Sequence, residues 1–349
     1  MMRLHWKTRA APAAFRSVAS RSVALRSVAL LLLAPLVALA LLAGCGVDSD
    51  SGAGSGGDDE RPRVLTTFTV IADLVREVGG DRVEVASITK PGAEIHGYEP
   101  TPSDLRNAAG ADLILWNGLD LERWFEQFID TAGAENAILT EGIEPIPIAG
   151  TSEYAGKPNP HAWMSPENAA VYLDNIAAAL TELDPDGAAE YERNAVDFKR
   201  EVTVVGERAR TALDGLEPHR RLLVTCEGAF SYLARDLGLR EAYIWPVNAE
   251  QEGTPGQIAA TVEAARESEV PAVFCESTVS DEAMQQVASE AGTELAGTLY
   301  VDSLSEADGP VPTYLELLRH DIDTIADALA ADAGAADAGA ADAGDADGR

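Results

Sequence analysis

From residue 63 onward the apolar positions follow two alternating rhythms. Residues 64–68 form a short apolar, β-rich run, residues 71–78 repeat at helical spacing and stop at Gly79-Gly80, and residues 83–88 alternate as a strand. Thr101 as N-cap, Pro102 at the first helical position and Asp104 three residues past the cap then open a helix that Gly110 closes. Residues 113–116 read as a short buried strand. Residues 121–129 read as a helix with Leu121, Trp124, Phe125 and Phe128 on one face. A second series begins after Gly215. It runs through a strand at 222–225, a helix at 229–237 closed by Gly238, a strand at 243–245 and a helix from the Thr254-Pro255 cap to Glu267. A strand at 272–274, a helix at 283–291, a strand at 295–300 and a last helix at 314–330 complete it. Strands that alternate with helices call for parallel sheets covered on both faces, so the pattern predicts an α/β protein of two lobes.

Between the two series lie two helices. Ser165-Pro166-Glu167 caps one that runs to about Leu183, and Asp184-Pro185 restarts the chain. Residues 188–213 then contain no Pro and only Gly206. A helix from Pro185 to Gly215 spans about 45 Å at roughly 1.5 Å per residue, long enough to run along both lobes as a stiff spine. The expected body is therefore a first lobe at 63–184, a rigid linking helix at 185–215 and a second lobe at 216–330.

The two ends differ from this body. Six basic residues and no acidic one precede an apolar run at residues 28–42, which leads into Ala43-Gly44-Cys45. A basic region, a short apolar core and small residues before a cleavage point read as a secretory signal at 1–44. Pro35 interrupts the run, and it is short of the roughly 20 residues a spanning helix needs. Leu42-Ala43-Gly44-Cys45 resembles a bacterial lipobox, which implies cleavage before Cys45 and lipid on its sulfur. Residues 45–62 are rich in Gly, Ser and Asp and read as a flexible tether, while 331–349 repeat Ala-Asp-Ala-Gly and read as a disordered acidic tail.

Of the 349 residues, 46% are hydrophobic and 24% charged, enough apolar material for two cores of ordinary size. Loss of the leader leaves 20 basic residues against 58 acidic ones, a formal charge near −38. That argues against a nucleic-acid partner, because phosphate contacts need Lys and Arg. The excess acid suits solubility and, in second place, attraction of cations. Cys226 and Cys275 each follow a predicted strand. In an oxidising exterior they can pair, or they can stay two buried thiols, and the spacing does not decide.

Four polar loops stand just after predicted strands or just before predicted helices, where open α/β sheets place ligands. They hold His96, His161, Glu227 and Asp302. Taken singly, each has a plain structural role: a loop hydrogen bond for His96, packing on Trp163 for His161, a helix cap for Glu227, a turn cap for Asp302. Together they put two histidines in one lobe and two carboxylates in the other, a set that would meet across the cleft and could hold a metal.

The combination His96-Gly97-Tyr98-Glu99-Pro100-Thr101-Pro102-Ser103-Asp104, Asn159-Pro160-His161-Ala162-Trp163, Cys226-Glu227-Gly228-Ala229-Phe230 and Glu252-Gly253-Thr254-Pro255 resembles the solute-binding lipoproteins of zinc/manganese ABC importers. The likeness covers about Arg63 to Ala330 and implies two lobes joined by a rigid helix. It implies His96, His161, Glu227 and Asp302 as ligands of a transported divalent ion. It also implies a permease with its ATPase as partners, a monomer, and an extracytoplasmic, lipid-anchored location. Zinc-type members usually carry His at the third ligand position and often a His-rich loop between the first two; here the third is Glu227, and residues 117–160 contain no His. The sequence from Arg221 to Ile258 most resembles the manganese branch. Gly97, where relatives often carry a polar residue, raises the question of what stiffens the His96 loop. Two imidazoles and two carboxylates suit a harder ion than zinc, although zinc binds nitrogen and oxygen donors more tightly than manganese does, and iron(II) is a further candidate. A metallohydrolase would need an open coordination position and a general base beyond these four groups, so no enzyme is expected. A purely adhesive surface lipoprotein would not need the four groups at all. Glu99, Asp104 and Glu252 are candidates for supporting or docking roles, with solvation as the plainer reading.

Overall fold

The computed structural model describes residues 61–149, 154–247 and 253–330. The expected leader, nearly all of the tether, the tail, Cys45 and Glu252 lie outside the described residues. No helix among the described residues is long and apolar enough to cross a membrane.

The first lobe is built from β1 (Arg63–Thr66), α1 (Thr69–Gly79), β2 (Glu84–Ser87), α2 (Pro102–Ala109), β3 (Leu113–Trp116), α3 (Arg123–Ala132) and β4 (Glu135–Ile138). Its four strands are parallel in the order β2-β1-β3-β4. The period-two alternation sorts the sheet's side chains. Val64, Leu113 and Leu115 face the main core, while Leu65 and Ile114 face a smaller cluster with Phe125 and Ile129 of α3. β4 has no counterpart in the sequence pattern. Its four residues, Glu-Asn-Ala-Ile, are half-exposed edge positions with no apolar alternation, so only pairing with β3 makes them a strand. α3 starts two residues later than the pattern predicts because Gly118, Leu119 and Asp120 all take left-handed backbone angles (φ 83°, 54° and 65°).

Two helices follow, α4 (Pro166–Leu183) and, after a short turn, α5 (Ala188–Leu213). The 26 residues of α5 span about 39 Å at roughly 1.5 Å each. It buries Tyr191, Ala195, Phe198, Val202, Val205, Ala209 and Leu213, a three-and-four spacing that makes one continuous stripe. That stripe belongs to the same core cluster as Val64 of the first lobe and Leu223 and Phe274 of the second. The linking helix is therefore rigid by packing. It is cemented to both lobes, and a truncation such as Phe198→Ala costs about 3–5 kcal/mol.

The second lobe carries β5 (Leu222–Glu227), α6 (Ser231–Leu237), β6 (Arg240–Trp245), α7 (Pro255–Glu267), β7 (Ala272–Glu276), α8 (Glu282–Ala291), β8 (Glu294–Leu299) and α9 (Tyr314–Ala330). Its strands form two parallel pairs, β5-β6 and β7-β8. A disulfide between Cys226 and Cys275, with Cα atoms 4.9 Å apart, joins β5 to β7 across the seam between the pairs. The chain leaves β5 at Glu227 and β7 at Glu276 and reaches Asp302 three residues past β8, so the acidic chemistry of this lobe collects at the carboxyl ends of its strands.

Candidate metal centre

His96 sits on the loop between β2 and α2. The helix start that follows is fixed by a capping box: Thr101 Oγ1 accepts from the Asp104 amide, and Asp104 accepts from the Thr101 amide at 2.8 Å. Asp104 thus serves as a cap, and Glu99 is exposed. Glu94 supplies the stiffness that Gly97 lacks. Its carboxylate accepts from the His96 amide at 2.7 Å and the Gly97 amide at 2.8 Å. The Trp124 indole N–H, donating to the Ile95 carbonyl at 2.9 Å, closes the loop from α3.

His161 is wholly buried just before a 3-10 turn, Ala162–Met164. Its ring packs edge-on against Trp163, with centroids 5.2 Å apart. Pro160 ahead of it is held by Asn117, whose Nδ2 donates to the Pro160 carbonyl at 3.0 Å. Asn117 is in turn fixed by Glu122, which accepts from the Asn117 amide (2.7 Å), the Gly118 amide (3.0 Å) and the Thr67 hydroxyl (2.7 Å). Burial pushes the Glu122 carboxyl up to about 7 against those three donors. Gly118 is required at this corner, since a Cβ there would lie 2.6 Å from Ile138 at a φ of 83°. The left-handed Leu119 and Asp120 that follow cost about 1–2 kcal/mol each. They line, with Arg123 and Lys157, a small cavity of about 30 Å³ that reaches His96.

Glu227 is the last residue of β5 and Asp302 lies three residues past β8; both are fully buried. Gly228 lets the chain turn directly after Glu227, because a Cβ there would come within 2.8 Å of Tyr243. The Asp302 loop is tied to the first lobe. The Trp163 indole donates to the Val301 carbonyl (3.0 Å), the Gly92 amide donates to Ser303 Oγ (2.7 Å), and the Leu304 amide donates to Thr69 Oγ1 (2.9 Å).

These four side chains come together. One donor atom from each of His96, His161, Glu227 and Asp302 lies within 4.8 Å of the other three. His96 Nε2 is 3.0 Å from His161 Nε2, 3.3 Å from Glu227 Oε1 and 3.9 Å from Asp302 Oδ1, and His161 Nε2 is also 3.3 Å from Glu227 Oε1. Donors about 2.1 Å from a shared ion and 90–110° apart stand roughly 3.0–3.4 Å from one another, so this spacing fits a common divalent centre.

The electrostatics fit one as well. Burial alone would lower the His96 pKa, but the Glu227 charge and hydrogen bond, then Asp302, outweigh it and raise it to about 9. Burial holds His161 below its ordinary value despite Glu227. Burial would raise Glu227, yet the two imidazoles hold it well below the usual carboxylate range. A proton on His96 therefore occupies the cleft between nitrogen and carboxylate donors, the position a cation would take from it.

One neighbour escaped the sequence reading. Glu276, the last residue of β7, is buried beside Glu227 and accepts from the Glu227 amide at 3.2 Å. Burial, then the Glu227 charge, push its carboxyl well above the usual range. A signal was present: β5 and β7 both end in the dipeptide Cys-Glu. Asn117 and Glu122 had no such mark, whereas Asn159 opens the Asn159-Pro160-His161 motif and only its role was missed. His219 and His320 lie off the site, paired with Glu269 (3.6 Å) and the Thr298 carbonyl (3.0 Å).

The chain is similar to known metal-binding proteins. A family model described as zinc-uptake complex component A, periplasmic, matches residues 64–328. The chain is 50% identical over 265 residues to the iron-binding protein YfeA of Yersinia pestis, covering 76% of this chain and 85% of that one. It is 33% identical over 279 residues to the manganese ABC transporter substrate-binding lipoprotein PsaA of Streptococcus pneumoniae, covering 78% and 90%. Among solved structures, a Mn-bound periplasmic metal binding protein from Candidatus Liberibacter asiaticus superposes with a TM-score of 0.72 at 38% identity, covering 77% of this chain and 100% of that one.

Proposed function

Because the chain belongs to the zinc-uptake complex component A family, and so is a metal-binding substrate-binding protein of an ABC transporter and not an enzyme, we propose that it captures manganese(II) between its lobes and hands it to the permease. In this reading His96 and His161 of the first lobe (63–184) and Glu227 and Asp302 of the second (216–330) ligate the ion, and the linking segment at 185–215, through its helix α5, holds the lobes in register. The observation that carries it is the donor set: two imidazole nitrogens and two carboxylates from four separate segments of the chain within 4.8 Å. Two carboxylates offer up to four oxygens, which favours an ion of higher coordination number over tetrahedral zinc.

The transporter supplies a permease and an ATPase as partners. The chain acts as a monomer outside the cytoplasm, held to the membrane by lipid on Cys45. Iron(II) is the second reading, supported by the 50% identity to a protein named for iron; zinc binds the same donors more tightly and is the third. Capture needs affinity, whereas delivery needs release. An ion that can leave the closed site is the better cargo even where zinc binds harder.

Metal content and competitive binding on the soluble form that starts after Cys45 test this, with Glu227→His in parallel. The expected result is one manganese per chain, readily removed by a chelator, slow release of zinc, and preferential loss of manganese in Glu227→His. Uptake of zinc alone, with manganese failing to compete at any excess, overturns the manganese assignment.

A further inference from the structure

Asn159 is buried, and its side chain touches both lobes. Its Oδ1 accepts from the His161 amide at 3.0 Å and faces His161 Nδ1 at 2.8 Å. Its Nδ2 donates to the Gly228 carbonyl at 2.6 Å and to Ser231 Oγ at 3.1 Å. Which end of the amide faces which lobe follows from the partners. A backbone N–H can only donate and a backbone carbonyl can only accept, so the oxygen must face His161 and the nitrogen Gly228. Oδ1 has no proton to give. His161 Nδ1 must therefore carry one, and Nε2 is left with the free lone pair that points at Glu227 Oε1.

One amide thus fixes the tautomer and aim of a donor in the first lobe by gripping the peptide that directly follows a donor in the second. The grip is reciprocal. When Gly228 and Ser231 move out of reach, the amide keeps only its His161 partners and can turn about its own side-chain bonds, and the ring it orients can turn with it. We infer that Asn159 is a positioning residue that couples closure of the lobes to ligation by His161, so that separating the lobes loosens the histidine at the same moment as it withdraws Glu227. The inference deepens the proposed function and rests on His161 being a ligand.

The test uses the full chain in detergent, loaded with manganese(II) and chased with excess chelator, with the metal-dependent change in radius of gyration followed by X-ray scattering. Asn159→Asp keeps an acceptor for His161 but sets a second oxygen against the Gly228 carbonyl. It is expected to speed release at least tenfold, with association changed less than threefold and the metal-dependent compaction reduced. Ser231→Ala, which leaves His161 untouched, is expected to speed release about threefold. Proton-detected nitrogen spectra of the metal-free chain are expected to show a proton on His161 Nδ1 in the native protein and in Asn159→Asp, and a disordered ring in Asn159→Leu. Release from Asn159→Asp and Ser231→Ala at the native rate overturns the coupling, as does a proton on Nε2 of His161 in the native metal-free chain. His161→Ala is the separate control: if it retains manganese like the native chain, the ligand assignment itself has failed.

Discussion

The two lobes present their halves of the site in different ways. The second lobe offers two buried carboxylates, Glu227 at the end of β5 and Asp302 three residues past β8. Glu227 completes β5, its amide is held by Glu276 of β7, and the Cys226–Cys275 disulfide staples those two strands one residue earlier. The first lobe offers imidazoles from loops, and each loop is held by hydrogen bonds to one side chain two residues away and one from elsewhere in the lobe, Glu94 and Trp124 for His96, Asn159 and Asn117 for His161. Carboxylates repel one another and must be held close by something strong. Imidazoles need only to be aimed, and hydrogen bonds aim well while remaining easy to break. The second lobe is thus a preformed seat and the first lobe an adjustable clasp.

The sharpest way to break this comparison is to remove the group that touches both halves. Glu227 Oε1 stands 3.3 Å from each imidazole, whereas Asp302 Oδ1 stands 3.9 Å from His96 Nε2. Glu227→Ala is expected to weaken manganese binding by about 1000-fold, on the order of 4 kcal/mol, the scale of breaking a buried charged pair. Asp302→Ala should cost less. Calorimetric titration of both decides it, and the reverse order would mean that Glu227 is not the bridge between the lobes.

Next in size is the staple. The disulfide closes 49 residues of chain, which on the chain-entropy account is worth about 4 kcal/mol. The double variant Cys226→Ala, Cys275→Ala should show a clearly lower urea midpoint, yet keep manganese affinity within about tenfold if β5–β6 pairing still holds Glu227. A much larger loss of affinity would make the disulfide part of the seat.

The proton on His96 separates the halves by pH. Its pKa is raised from 6.5 to about 9 in the metal-free protein, so under the proposed ligation an ion binding at neutral pH would displace a proton. Apparent manganese affinity should fall about tenfold per unit as pH drops from 8 to 6. Stability has the opposite slope. A raised folded-state pKa contributes stability that is full below the unfolded value of 6.5 and is lost as pH rises through about 9. The melting temperature of the chelator-stripped chain should therefore fall between pH 7.5 and 9.5. Manganese-loaded protein should not follow it, and His96→Gln should flatten both slopes.

The smallest effect is confined to the clasp. Thr101→Ala removes the cap that anchors the far end of the His96 loop and should cost about 1 kcal/mol, with a few-fold faster manganese release. An unchanged release rate would show that Glu94 and Trp124 hold His96 without help from the helix.

The chain itself determined a good deal. Its period-two and period-3.6 runs specify the alternating strands and helices, and the Thr101, Ser165 and Thr254 caps mark helix starts that the structure shares. The four donor residues stood out because they lie in polar loops after predicted strands or before predicted helices, within motifs that resemble the importer lipoproteins, and tertiary structure brings one donor atom of each within 4.8 Å of the others. What was not legible depends on partners distant in sequence. β4 has no apolar alternation and exists only by pairing with β3. The left-handed corner at Gly118–Asp120 packs so closely on Ile138 that a Cβ at Gly118 would lie 2.6 Å from it. Whether Cys226 and Cys275 pair was open until β5 and β7 were laid side by side. Asn159 and Glu276 gain their meaning only from what the opposite lobe or the neighbouring strand brings to them. Local energetics write elements into a sequence, because propensity and capping act over a few residues. The aim of a ligand is set across the fold, because hydrogen bonds are made wherever the packed chain places a donor beside an acceptor.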